Sequence, residues 1–329
     1  MHVVITGAAG FLGQKLARKL LAGEKLTGPD GHKREVSKLT LFDVAAPAAD
    51  IVADKRVASV TGDIGDAALV RRLIAGDVAS VFHFAAVVSA GAEADFDLGM
   101  RVNLDGTRHV LEACRTVKAP PRVVFTSSAA VYGGDMPKVI KDDTPLTPQT
   151  SYGAQKAMGE FMVNDMSRKG FIDGRALRLP TIVVRPGKPN KAASTWASSI
   201  IREPLQGDDV VCPVDPSVAM YVLSPRRVVE AFLHAHELPK EKLGFNRALF
   251  LPGITVSVTE MLAGLKKAGG QKAVDRVKFV PDAMIRKIVA GWPPQFDAVR
   301  ARSLGFKADD NFDQIVQGFV ADDLRRNAA

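Results

Sequence analysis

With 329 residues, 47% of them hydrophobic and 24% charged, the chain is long enough for a large buried core and balanced like an ordinary globular protein, which excludes extensive disorder. The net charge of +8 is spread over short clusters such as Lys266-Lys267, Arg300/Arg302 and Arg325-Arg326, and aromatic residues are sparse, so no nucleic-acid surface is expected. Two cysteines, Cys114 and Cys212, exclude a disulfide framework and a four-thiolate zinc site. No apolar run approaches the ~20 residues of a membrane span, and with no leader pattern ahead of Val3 a cytoplasmic location is expected.

Val3-Val-Ile-Thr opens the chain as a short apolar strand, followed by a glycine turn and a helix from Phe11. The polar stretch Gly23–Ser37 then reads as a surface insertion. Strand-like runs follow at Leu39–Asp43, Val57–Asp63, Ser80–Ala85 and Arg122–Ser128, separated by helical patterns at Ala67–Leu73 and Asn103–Thr116. A helix is predicted over 152–168 and a further strand over 175–184. Beyond Arg185 the texture changes: 185–218 is rich in Pro, Lys, Asn and Ser, and 249–329 mixes short elements with helix-like ends. Between them, Tyr221–Glu237 reads as a strand and helix returning to the first domain. Strands alternating with helices predict an α/β fold, a doubly wound parallel sheet of Rossmann type with a smaller discontinuous C-terminal substrate domain. The expected bounds are 1–184 plus 219–248 for the nucleotide domain and 185–218 plus 249–329 for the substrate domain.

Gly7, Gly10 and Gly13 form a G-x-x-G-x-x-G turn between strand and helix, which lets backbone approach a pyrophosphate. The N–H groups at the helix start, at Phe11 and Leu12, add the positive end of a helix dipole. Asp43, at the end of the next strand, can accept from ribose hydroxyls and would repel a 2′-phosphate, so NAD is expected over NADP. It lies thirty residues past Gly13 rather than the usual ~20, the excess falling in the insertion, where Lys33 and Arg34 are the residues that could favour NADP. Tyr152 and Lys156 stand one helical turn apart on a shared face. A cation there favours the phenolate; moving a phenol from ~10 to about 7 requires roughly 4 kcal/mol. The pair can shuttle a proton to or from an alcohol. His234 and His236 point to different helix faces, and no metal is expected.

Taken in order, G-x-x-G-x-x-G, Gly62-Asp63-Ile64, His83-Phe-Ala-Ala, Asn103-Leu-Asp-Gly-Thr, Thr126-Ser-Ser-Ala-Ala-Val-Tyr-Gly and Tyr152-x-x-x-Lys156 make a specific series. Over residues 3–186 it resembles the extended short-chain dehydrogenase/reductase family. The resemblance implies a seven-stranded sheet and gives Ser128 as the catalytic serine, Tyr152 as the acid/base, and Lys156 as the residue that binds the nicotinamide ribose and acidifies the tyrosine. It also implies that Asp63 and Ile64 line the adenine, that Ala85, Ala86 and Asn103 border the cofactor, that a backbone group at Pro180 meets the nicotinamide carboxamide, and that the chain forms a homodimer. His83 is expected to be structural.

Departures from the family's nucleotide-sugar members concern the substrate. Their Arg-x-x-Asn is here Arg178-Leu-Pro-Thr181, and Val222-Leu-Ser-Pro-Arg-Arg227 replaces their Val-Asp-Asp signature. The run Arg185-Pro-Gly-Lys-Pro-Asn190 resembles a member that oxidises a four-carbon sugar acid to its 2-keto form. A small anionic substrate needs a cation, for which Lys188, Lys191, Arg202 and Arg226 are candidates; Asn190, Ser194 and Thr195 could bind hydroxyls. Oxidation of such an acid stands first, a nucleotide-sugar 4-epimerase second and a non-enzymatic NAD sensor third.

Overall fold

The computed structural model describes residues 1–189, 192–293 and 295–324. In chain order the principal elements are β1 (His2–Thr6), α1 (Phe11–Leu21), β2 (Lys38–Asp43), β3 (Val57–Thr61), β4 (Val78–His83), α2 (Gly106–Cys114), β5 (Arg122–Ser128), α3 (Ser151–Arg168) and β6 (Asp173–Leu179). They continue with β7 (Thr181–Ile182), α4 (Thr195–Gln206), β8 (Ala219–Leu223), α5 (Pro225–Glu237), β9 (Ala248–Phe250), β10 (Ile254–Ser257), α6 (Val258–Val274) and α7 (Phe312–Phe319). β1 and β4 are buried along their whole length, as strands covered on both faces must be, which is why apolar residues predominate in them without alternating with exposed polar ones. α1 buries Gly13, Leu16, Ala17 and Leu20, a single stripe at helical spacing.

Seven strands form the largest sheet, in the order β3-β2-β1-β4-β5-β6-β9. The pairs β1–β2, β1–β4, β2–β3 and β4–β5 are parallel, with Thr6 in register with Phe42 on one side and His83 on the other. Strand order reverses between β1 and β4, so the crevice outside their carboxyl ends is where a doubly wound sheet admits a ligand.

The chain divides into two compact units. The first comprises Met1–Val131, Pro148–Arg178 and Val229–Leu249, and the second Tyr132–Thr147, Leu179–Val228 and Phe250–Ala329. Packed within the first are Val4, Phe42, Val81, Val110, Val123, Phe125 and Val163, between sheet and helices. The second has its own core, in which Trp196, Ile200 and Ile201 of α4 meet Met261 and Leu265 of α6 and Phe312, Ile315 and Phe319 of α7.

Two features differ from the sequence expectation, and a third adds to it. The single strand predicted over 175–184 is two: β6 ends at Leu179, and after Pro180, which has no N–H to donate to a ladder, β7 joins a separate three-stranded sheet with β8 and β10. For the same reason β8, expected to return to the first domain, belongs to the second unit, as do 179–184 and 132–147. The insertion 23–37 contains an antiparallel hairpin, Lys25–Thr27 with Lys33–Glu35, anchored where Thr27 N–H and Oγ1 donate to Glu237 at 2.8 and 2.7 Å.

Candidate active site

The turn after β1 is a backbone cradle. Gly7 has φ +69°, and a Cβ there would lie 2.6 Å from Ala85 N; one on Gly13 would lie 2.5 Å from Gly7 O. Glycine is therefore required both by the dihedral and by the approach of the segment that follows β4. Gly10 is the N-cap of α1, with no side-chain cap and no acidic residue in the first turn, so the positive end carried by Phe11 and Leu12 has no anion from its own helix. Asp43 Oδ2 accepts from Ala9 N–H at 2.8 Å and Oδ1 from Val44 N–H at 2.7 Å. A carboxylate has about four acceptor positions, so capacity for hydroxyl groups remains. The cradle, the uncapped helix end and this carboxylate fit a dinucleotide.

Asp63 accepts from Gly65 N–H at 2.8 Å and from Arg101; the Gly65 hydrogen bond, then the guanidinium, hold its carboxyl below the usual range. Ile64 is buried, its side chain filling the space that a Cβ on Gly106 would need. Asn103 is 1% exposed and clamps Val87: its Oδ1 accepts from Val87 N–H at 2.8 Å and its Nδ2 donates to Val87 O at 3.0 Å and to Gln155 Oε1 at 2.8 Å. It thus fixes the segment containing Ala85 and Ala86 from behind.

His83 stands in a polar chain whose protons can be assigned. Thr107 Oγ1 donates to Asn103 O at 2.6 Å, so it accepts from His83 Nε2–H at 3.0 Å; Nδ1 therefore accepts from Thr6 Oγ1 at 2.6 Å, and Thr6 Oγ1 accepts from Ala85 N–H at 3.3 Å. Burial pushes the imidazole down to about 3, so it is neutral and serves to lock the ends of β1 and β4 together.

Ser128, Tyr152 and Lys156 all lie in the first unit, at the end of β5 and in the first two turns of α3. Ser128 Oγ accepts from Ala130 N–H at 3.1 Å. Thr150 caps α3 by accepting from Gly153 N–H at 3.1 Å, which places Tyr152 in the first helical turn, where the dipole favours an anion. A Cβ on Gly153 would overlap the Ala130 carbonyl oxygen, so glycine is what allows this end of α3 to close on the segment after Ser128. Lys156 is 2% exposed; its Nζ lies 4.8 Å from the centroid of Phe125 and 5.7 Å from that of Tyr152. Desolvation pushes its pKa down to about 7, against an opposing pull from Glu160.

The remaining expected site residues fall in the second unit. Pro180 links β6 to β7. Lys188 is exposed. Ser194 Oγ accepts from Arg185 Nη2 at 2.7 Å. Arg202, a candidate for the substrate anion, is 2% exposed and built into the packing: it donates to Arg185 O at 2.7 Å, Ser199 Oγ at 3.1 Å and Glu203 Oε1 at 2.6 Å. Arg226 forms a fork with Asp322 at 2.6 Å. Asn190 and Lys191 lie outside the described residues. Sequence reasoning passed over Gly153, Gln155, Glu160 and the pairing of Glu160 with Arg178; only the Tyr-x-x-x-Lys-x-x-x-Glu spacing carried a signal for any of them.

An uncapped helix at the switch point of a doubly wound sheet, with a glycine cradle and a carboxylate at the second strand end, defines a dinucleotide-binding protein of the Rossmann class. The profile of the NAD dependent epimerase/dehydratase family matches residues 3–246, and the chain belongs to that family. It is 52% identical over 322 residues to a D-erythronate dehydrogenase of Cupriavidus necator, covering 98% of both chains, and 44% identical over 324 residues to one of Haemophilus influenzae, covering 98% of this chain and all of the other. A solved structure described as a nucleoside-diphosphate-sugar epimerase from Agrobacterium tumefaciens superposes with a TM-score of 0.90 at 42% identity, covering 99% of this chain and 95% of that one.

Proposed function

We propose that this chain is an NAD-dependent dehydrogenase that oxidises D-erythronate to 2-dehydro-D-erythronate. The observation that carries the reading is the near full-length identity to two D-erythronate dehydrogenases. Ser128 orients the substrate hydroxyl, the Tyr152 phenolate takes its proton, and Lys156 stabilises the phenolate and holds the nicotinamide ribose. Bound NAD supplies the acceptor for the hydride that leaves the same carbon. Gly7, Gly10, Phe11, Leu12 and Gly13 would hold the pyrophosphate, Asp43 the adenosine ribose, Asp63 and Ile64 the adenine, and Ala85, Ala86 and Pro180 the nicotinamide end. With Arg202 and Arg226 engaged by carboxylates of their own, Lys188 and Lys191 remain as the cations for the substrate carboxylate, with Ser194 and Asn190 for its hydroxyls.

The epimerase described for Agrobacterium supports a second reading, conversion of a nucleotide sugar with the cofactor regenerated in each turnover. Thr181 in place of the family's asparagine weighs against it. Absorbance at the NADH wavelength, with purified protein, NAD and a panel of four-carbon sugar acids, separates the two. Sustained NADH formation from D-erythronate is expected; conversion of UDP-sugars without NADH release would replace the first reading by the second, and NAD binding without any turnover would leave a sensor.

We further infer a cytoplasmic homodimer. Among the described residues no helix is long and apolar enough to cross a membrane. α3 packs Met162 and Met166 against the core, yet leaves Phe161 66% and Met158 37% exposed. Phe161→Asp is expected to convert a dimer to a folded monomer, read by light scattering and circular dichroism. A wild-type chain that is monomeric at micromolar concentration would refute the assignment.

A further inference from the structure

Glu160 follows Lys156 by one helical turn on α3 and is 4% exposed, yet the mechanism gives it no task. Its carboxylate is held from two sides. Arg178 of β6 donates from Nε to Oε1 at 2.9 Å and from Nη2 to Oε2 at 2.7 Å, and Ser127 Oγ donates to Oε1 at 2.5 Å. A buried fork of this kind could simply fasten β6 to α3. Two placements give it more to do. Ser127 directly precedes Ser128, so its hydrogen bond ties the strand end bearing one reacting group to the helix bearing the other two. And spacing of four residues puts the carboxylate on the face of α3 that carries Tyr152 and Lys156.

We propose that Glu160 is a positioning residue for the reaction: clamped by Arg178 and Ser127, its carboxylate is the counter-charge of Lys156 and couples the Ser128 strand end to the helix of Tyr152. The inference rests on the roles assigned to Tyr152 and Lys156. The groups bearing on Lys156 are Tyr152 and Glu160 on its own helix, His83 from β4 and the Phe125 ring from β5, while Ser127 and Arg178 reach Glu160. His83 is neutral, so Glu160 is the anion that opposes the desolvation of Lys156. Withdrawing that anion makes Lys156 lose its proton at lower pH. With less positive charge beside it, the Tyr152 phenol then loses its proton at higher pH, and the acid limb of kcat/KM moves upward.

Three variants test this: Glu160→Gln; the double variant Glu160→Gln with Arg178→Gln, which avoids leaving the Arg178 guanidinium without its carboxylate; and Glu160→Asp, which keeps the charge but draws it back by one methylene. Two readouts are used, the pH profile of D-erythronate oxidation and the ultraviolet difference absorbance of the phenolate, assigned by its loss in Tyr152→Phe among the chain's three tyrosines. In Glu160→Gln both are expected to move up by about one pH unit, a roughly tenfold loss of kcat/KM on the acid side, with KM for NAD within about twofold; the double variant, which removes a cation together with the anion, should shift less. The aspartate variant should also shift less. An unmoved phenolate titration in folded Glu160→Gln overturns the proposal, as does a pH profile that shifts without it. Should Glu160→Gln not fold, an unmoved titration in Glu160→Asp overturns it equally. Wild-type protein inactive on D-erythronate counts against the proposed substrate, while the phenolate titration still decides the role of Glu160.

Discussion

Tyr152→Phe is expected to lower turnover of D-erythronate by on the order of a thousandfold while leaving NAD affinity within a few-fold of wild type. The substitution removes one oxygen from the first turn of α3 and nothing else. Thr150 still caps the helix through Gly153 N–H, and Gly153 still closes on Ala130. The buried Lys156 ammonium, over the face of Phe125, keeps its neighbours. What is lost is the base that accepts the hydroxyl proton as hydride departs, and neither His83 nor Ser128 is arranged to take that part. His83 is buried and neutral, with both ring nitrogens engaged by threonine hydroxyls. Ser128 can orient a hydroxyl, but its Oγ accepts from Ala130 N–H and, among the described residues, is bonded to no carboxylate or imidazole that would make it a base. The measurement is steady-state NADH formation set beside a calorimetric titration with NAD. A variant within tenfold of wild-type kcat and normal in NAD affinity would remove Tyr152 from the reaction.

How much of this was legible beforehand depends on whether the determinant was local. The order of the strands and the glycine turn follow from short-range pattern: buried parallel strands are continuous apolar runs, and Gly7, Gly10 and Gly13 punctuate one of them. Tyr152 and Lys156 were visible because a helix makes neighbours of residues four apart. Glu160 shares that spacing, but its meaning lies in Arg178, eighteen residues away on β6, and in Ser127 on β5, a long-range juxtaposition that no periodicity encodes. Arg202 shows the converse. Its chemistry suits an anion, but its guanidinium is spent on Arg185, Ser199 and Glu203, and only burial reveals this. The break after Leu179 follows from Pro180, a local cause whose consequence, a change of sheet, is set by the pairing of β7 with β8.

Gly7→Ala is expected to cost stability and cofactor together, and the geometry says why the two cannot be separated. The residue has φ +69°, a conformation that costs an L side chain about 1–2 kcal/mol. Its new Cβ would also lie 2.6 Å from Ala85 N and 2.7 Å from Phe84 C, both backbone atoms that no rotamer change can move. The segment they belong to cannot yield freely either, because Thr6 Oγ1 holds Ala85 N–H and Asn103 holds both polar groups of Val87. Overpacking of this kind adds about 1–3 kcal/mol, so a fall in Tm of roughly 3–7 °C is expected for a chain of this size. Whatever movement relieves the clash must shift the glycine turn away from the start of α1 or shift Ala85 and Ala86, and either opens the cradle; NAD affinity should fall at least about tenfold. Gly23→Ala is the control. Its φ is +99°, but a Cβ there meets nothing within 4 Å, so it carries the backbone cost without the collision. If the collision is what matters, Gly23→Ala loses only the smaller stability increment and binds NAD normally. If Gly7→Ala merely matched it in both Tm and affinity, the contact between the glycine turn and the segment after β4 would not be what shapes the cofactor site.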